Sequence, residues 1–126
     1  MDIRNKQKAV VAALEDIKAR DIAVFNVTHL TSLFDRVVIA TADSARQTKA
    51  LAVHLQDKFK ALGERPRGVE GESTGEWVLI DLGDVVVHIM QPAIRQYYNL
   101  EELWGEPRPR ARRPRPRSKA TEPAAG

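Results

Sequence analysis

Two carboxylates and an imidazole, Asp81, Asp84 and His88, lie close together in the second half of the chain. Side chains of these types around a turn can hold a divalent metal or move a proton. Taken as an active site, they would make the protein a metal-dependent nucleotidyltransferase or phosphohydrolase. The same residues have a plainer reading. Aspartate is frequent in turns because its side chain hydrogen-bonds nearby backbone, which suits Asp84. Asp81 and His88 fall on separate predicted strands with no second histidine beside them. His29 belongs to a turn and His54 to the outer side of a predicted helix, and both are expected at the surface. The chain has no cysteine, which excludes thiolate nucleophiles, disulfides and cysteine zinc sites. It also lacks a phosphate-binding GxxxxGK[ST] loop, a dinucleotide glycine fingerprint, a GxSxG elbow and an HExxH helix. Catalysis is therefore the alternative reading and not the leading one.

Aromatic residues offer a different chemistry. The chain contains two Trp, two Tyr and three Phe, and Tyr97, Tyr98 and Trp104 are gathered near the end of its folded part. Large rings with a polar tip make effective interface anchors. Along the predicted strand that starts at Trp77, alternation places Trp77, Leu79 and Asp81 on one side and Val78 and Ile80 on the other. Val78 and Ile80 suit a core. Trp77 either caps that core or anchors a partner, and the same two roles are open to Tyr98, whereas Trp104 is expected to pin a closing helix to the sheet.

These residues need elements to position them. Asn5 to Lys18 reads as an amphipathic helix with Val10, Leu14 and Ile17 inward and Lys6, Lys8, Glu15 and Lys18 largely outward. Ile22 to Val27 and Arg36 to Thr41 are short β-favouring runs. Asp43 or Ser44 can cap a second helix, in which Leu51, Leu55, Phe59 and Leu62 form the inner stripe and Gly63 ends it. Glu64 to Gly75 reads as a loop, punctuated by Pro66, Gly68, Gly71 and Gly75. Trp77 to Leu82 and Val85 to Met90 are expected to form a hairpin around Gly83 and Asp84, followed by one or two short helices over Ala93 to Asn99 and Leu100 to Trp104. A helix between strand pairs makes a parallel crossover plausible and the hairpins supply antiparallel pairs. The expected fold class is α+β, a single domain with a mixed β-sheet flanked by helices.

At 126 residues and 43% hydrophobic content the chain suits one modest core, over residues 1–105. Residues 106–126 contain the proline and arginine run PRPRARRPRPR and are expected to be a disordered tail. That tail holds seven basic and two acidic residues, so the remainder has 13 basic against 15 acidic, and the chain's positive net charge comes from the tail. A mildly acidic domain favours a basic partner, and contact with rRNA phosphates, if made, falls to the tail arginines. With no run of roughly 18 uncharged apolar residues, nothing points to a membrane, and the expected location is cytoplasmic.

Five segments together resemble one family. They are Phe34 to Thr41 (FDRVVIAT), Ser44 to Gln47 (SARQ), Gly68 to Glu72 (GVEGE), Trp77 to His88 (WVLIDLGDVVVH) and Arg95 to Trp104 (RQYYNLEELW). In this order, from about Asp21 to Trp104, they resemble the Iojap family, whose bacterial members are ribosomal silencing factors. The resemblance implies a nucleotidyltransferase-like fold without that superfamily's catalytic carboxylates, and neither late strand carries an Asp-x-Asp or Asp-x-Glu pair. It implies no enzyme activity and no cofactor. It further implies binding to the large ribosomal subunit through ribosomal protein uL14, which blocks joining of the small subunit and represses translation; free protein could form a homodimer. On matching positions, Trp77 and Tyr98 are the implied anchors, Glu70 and Asp81 the acidic groups, and Leu82 and Leu100 their apolar neighbours. One departure is Ala42, where the family usually has glycine, so the turn after Thr41 must here avoid positive φ.

Overall fold

The computed structural model describes residues 1–104; the segment 106–126 expected to be disordered lies outside the described residues. Helix α1 (Ile3–Asp16) begins where the Asp2 carboxylate accepts the Asn5 N–H at 2.8 Å. The helix thus starts two residues earlier than its hydrophobic periodicity suggests. It ends before Lys18, whose backbone is left-handed, and Ile17 becomes its C-cap. Strands β1 (Arg20–Asn26) and β2 (Arg36–Thr41) pair antiparallel, with a bulge between Arg20 and Ala23. Of the two candidate caps, Ser44 starts α2 (Ala45–Ala61), accepting the Gln47 N–H at 3.0 Å. Leu51, Ala52, Leu55 and Phe59 bury its inner stripe. Leu62 does not continue that stripe: it is the C-cap and half exposed, because Gly63 turns left-handed and unwinds the helix there.

The expected loop 64–75 contains one further strand, β3 (Gly68–Glu70), which pairs antiparallel with β4 (Trp77–Asp81). Three residues with glycine at the start are too short to show a period-2 pattern, so only pairing reveals them. Strand β5 (Val85–Met90) returns antiparallel along β4 and closes the predicted hairpin. The parallel crossover from β2 through α2 lands on β5 and not on β4, giving the order β1-β2-β5-β4-β3. Helices α3 (Pro92–Tyr98) and α4 (Leu100–Trp104) close the described chain. Among the described residues the fold is α+β, one domain with a mixed five-stranded sheet and four helices. Ala42 is buried and is not among the residues with positive φ, as its side chain requires.

Each face of the sheet has its own core. Val38, Ala40, Val78, Ile80, Val85, Val87 and Ile89 face α1 and α2, meeting Val10, Leu14, Leu51, Leu55 and Phe59. On the opposite face Val27, Val37, Ile39 and Met90 are fully buried beneath the partly buried Phe25, Phe34, Trp77, Ile94, Leu100 and Trp104. Central strands buried on both sides explain why VVIAT and VVVHIM read as continuous apolar runs without alternation.

Lys6 corrects the reading of α1. It is buried, in line with Val10, Ala13 and Leu14 on the inner face. Its Nζ donates to the Leu82 carbonyl at 2.8 Å and sits 2.7 Å from Asp84 and 3.4 Å from Glu64. An aliphatic stem fills the core while the ammonium reaches the turn of the β4–β5 hairpin, so a residue polar by type behaves as an inward one. Replacing Lys6→Met should keep the packing but strand the Leu82 carbonyl and two acids. Because both carboxylates remain partly wet, the expected loss is about 2–3 kcal/mol, below that of a fully buried pair. Urea unfolding monitored by circular dichroism tests this; a change within about 0.5 kcal/mol, typical of surface sites, would mean that the ammonium contributes nothing.

Candidate functional site

The helix-free part of the sheet's second face carries the residues singled out from sequence. Alternation along β4 and β5 puts Trp77, Leu79 and Asp81 beside Val86, His88 and Met90, with Leu79 directly opposite His88 and Asp81 opposite Val86. Glu70 on β3 stands opposite Leu79 and therefore shares this face; it is exposed. Tyr98 reaches the same place from α3, its ring centroid 4.9 Å from that of Trp77. Leu100 is half-buried against the second-face core. Five of the six expected partner-binding residues thus border one surface. The sixth, Leu82, does not: at 4% exposure it belongs to the core under α1 and α2, because alternation along the strand carries it to the side of Val78 and Ile80.

Trp77 is held by two contacts. Its Nε1–H donates to Nδ1 of His88 at 3.0 Å, on the diagonal between the strands, and its ring tilts against Tyr98. To accept at Nδ1, the neutral imidazole must carry its proton on Nε2. Burial pushes the His88 imidazole down to about 4, so it stays neutral at ordinary pH and the acceptor persists. The role of His88 is therefore to orient Trp77. Residue types alone link His88 only to the aspartates, although hairpin alternation places it on the Trp77 side.

Tyr98 is 51% exposed and Tyr97 81%, with their rings edge to face at 5.0 Å. Gln91 launches α3 toward this surface: its N–H donates to the Glu76 carbonyl and its side chain to that of Gly75. Trp104 packs edge to face on Phe34 at 5.8 Å, the pinning role expected for it. Between Phe34, Leu79, Asp81, Val86, His88 and Trp104 lies an open cleft of about 500 Å3. Gly71, just after β3, lies so near the Trp77 carbonyl oxygen that a Cβ there would collide with it, and its φ of +89° also favours glycine.

The three residues considered for catalysis are not assembled. Asp81 spends one carboxylate oxygen on the Gly83 N–H at 2.8 Å, a local turn contact. Asp84 turns to the other side of the sheet, to Lys6. No group of three or more His, Cys, Asp or Glu side chains converges on a metal position among the described residues. His29 is exposed as expected, but His54 is not a solitary surface residue: its Nε2 lies 2.9 Å from Asp16 and joins α2 to α1, holding that carboxyl below its usual range. What remains on the second face is a surface of aromatic rings, a cleft and two acids, suited to binding a macromolecule.

The His88 environment has a measurable sign. An imidazole near 6.5 when unfolded and about 4 when folded binds fewer protons in the native state between those values. Stability is then complete above about pH 6.5 and declines as pH falls toward 4. His88→Gln retains an acceptor for Trp77 without the proton uptake. Between about pH 7.5 and 4.5 the parent should lose about 2–3 kcal/mol more than His88→Gln in urea unfolding. Parallel pH profiles would remove His88 from the titration.

A family model described as "Ribosomal silencing factor during starvation" matches residues 1–125. The chain is 52% identical over 109 residues to a ribosomal silencing factor, RsfS, of Chromobacterium violaceum, covering 86% of this chain and 89% of that one. A crystal structure of a protein from the same organism, also 52% identical, superposes with a TM-score of 0.83 over 87% of this chain and 92% of the other. The mouse protein named mitochondrial assembly of ribosomal large subunit protein 1 is 34% identical over 98 residues, which are 75% of this chain and 43% of the mouse protein. With a family model spanning nearly its whole length and relatives this similar in sequence and fold, the chain belongs to the RsfS family of ribosomal silencing factors.

Proposed function

We propose that the chain acts in the cytoplasm by binding the large ribosomal subunit through ribosomal protein uL14 and preventing the small subunit from joining. The carrying observation is the convergence of Glu70, Trp77, Asp81 and Tyr98 on one face that no helix covers completely. Family membership and the mouse relative, named for large-subunit assembly, support a large-subunit partner. The interface needed is ordinary, roughly 1,200–2,000 Å2 of total buried surface with a few aromatic anchors. Trp77 and Tyr98 supply the anchors, with Leu100 behind them. Glu70 and Asp81 meet lysine or arginine on the ribosomal protein, which sets register and speeds encounter more than it adds affinity. Silencing then requires no bond to be made or broken: the bound domain occupies space that the small subunit needs, and its occupancy opposes joining by mass action. Leu82 is not part of this surface.

Tyr98→Ala should weaken binding to isolated large subunits about 10- to 100-fold, the range for truncating an interface anchor, while circular dichroism stays parental. Trp77→Ala should do the same, with some loss of stability because its ring also covers Met90 and His88. Sedimentation of purified subunits with saturating protein is the direct measurement: parental protein should hold the subunits apart and the variants should not. Subunits that join equally well in its presence would refute the proposal. A chain stopped after Gly105 should retain binding, which assigns any contact of the arginine tail with rRNA a secondary part; loss of binding on truncation would move the main contact to the tail.

A further inference from the structure

We infer that Arg95 is a positioning residue that latches the α3–α4 corner to the sheet, so that Tyr98 stands over Trp77 before a partner arrives; this rests on the docking role proposed above. The Arg95 side chain is only 13% exposed. Its Nη1 donates to the Asp21 carbonyl at 2.6 Å and to Thr41 Oγ1 at 2.8 Å. Its Nη2 and Nε both donate to one carboxylate oxygen of Glu101, at 2.9 and 3.3 Å. One guanidinium thus joins α3, α4, the end of β2 and the start of β1.

The fork has a prepared acceptor. Asp21 sits in the bulge of β1 with a left-handed backbone, which takes its residue out of the β1–β2 register and frees its carbonyl for Arg95. The corner needs such a tie. Helix α3 has seven residues and α4 five, neither contains a buried residue, and single Asn99, left-handed, separates them. Helices this short do not hold together without outside contacts. Ile94, Leu100 and Trp104 pack only in part on the second-face core, so the planar five-donor fork of Arg95 fixes the direction in which α3 presents Tyr98. A corner that is ordered only part of the time would lower apparent affinity by that fraction even with both anchors intact.

The test uses the full chain with Arg95→Met, Tyr98→Ala and the double variant. Amide hydrogen exchange should quicken about tenfold across residues 92–104 in Arg95→Met and stay parental in β2 and β5, as expected for a local opening. Affinity for isolated large subunits should fall about tenfold in Arg95→Met but little further when Tyr98→Ala is already present, because Arg95 acts through Tyr98. Unchanged exchange at 92–104, exchange raised throughout the sheet, or an undiminished Arg95 effect in the Tyr98→Ala background would each overturn the latch. A Tyr98→Ala protein that binds like the parent would instead overturn the docking role itself, whatever the exchange pattern.

Discussion

The parallel pairing of β2 with β5 is the constraint around which the remaining elements arrange themselves. Six registered pairs, from Arg36 with Val85 to Thr41 with Met90, bring together segments separated by α2, β3 and β4. A parallel pair cannot be joined by a tight turn, so the chain must cross over, and α2 with α1 fills the face over which it crosses. The hairpin partner β4 then takes the free edge of β5, and β3 takes the edge of β4. With both helices committed to one side, the opposite face is left to two short terminal helices that cover it only partly. The incomplete cover is what leaves Trp77 and Asp81 half-buried, while His88 is buried.

That surface is stiffened by polar contacts more than by burial. Trp77 is fixed by a neutral imidazole whose burial keeps it unprotonated, and α3 is tied at its start by Gln91 and in its middle by Arg95. Under the proposed function such order favours docking, since less freedom is lost on association. The carboxylates divide by the same logic. Asp84 serves the fold through Lys6 on the covered face, while Asp81 and Glu70 remain on the open face, where the proposed function has them meet a basic partner.

Much of this was legible in the residues. Helix α2, the hairpin at Gly83 and Asp84 and the two closing helices follow from periodicity, capping and turn chemistry, and the resemblance carried by WVLIDLGDVVVH and RQYYNLEELW led to the right family. The misreadings are equally specific. The charge of Lys6 suggests an outward position and the spacing of Leu62 an inward one, and the structure reverses both; Leu82, expected as an apolar neighbour of the anchors, is buried in the core.

What the sequence by itself determined were properties set within a few residues: which segments become helix or strand, where caps and turns fall, and which side chains alternate together. The tertiary structure alone decided that β2 joins β5 and not β4, that Glu70 belongs to a strand, that Lys6 and Asp84 meet under the hairpin, and that Arg95 finds Asp21 and Thr41. Local order follows from backbone sterics and short-range hydrogen bonds, which read out along the chain. Pairings between distant segments depend on which surfaces can be buried together once the helices have taken one face, and no window of sequence contains both partners of that choice.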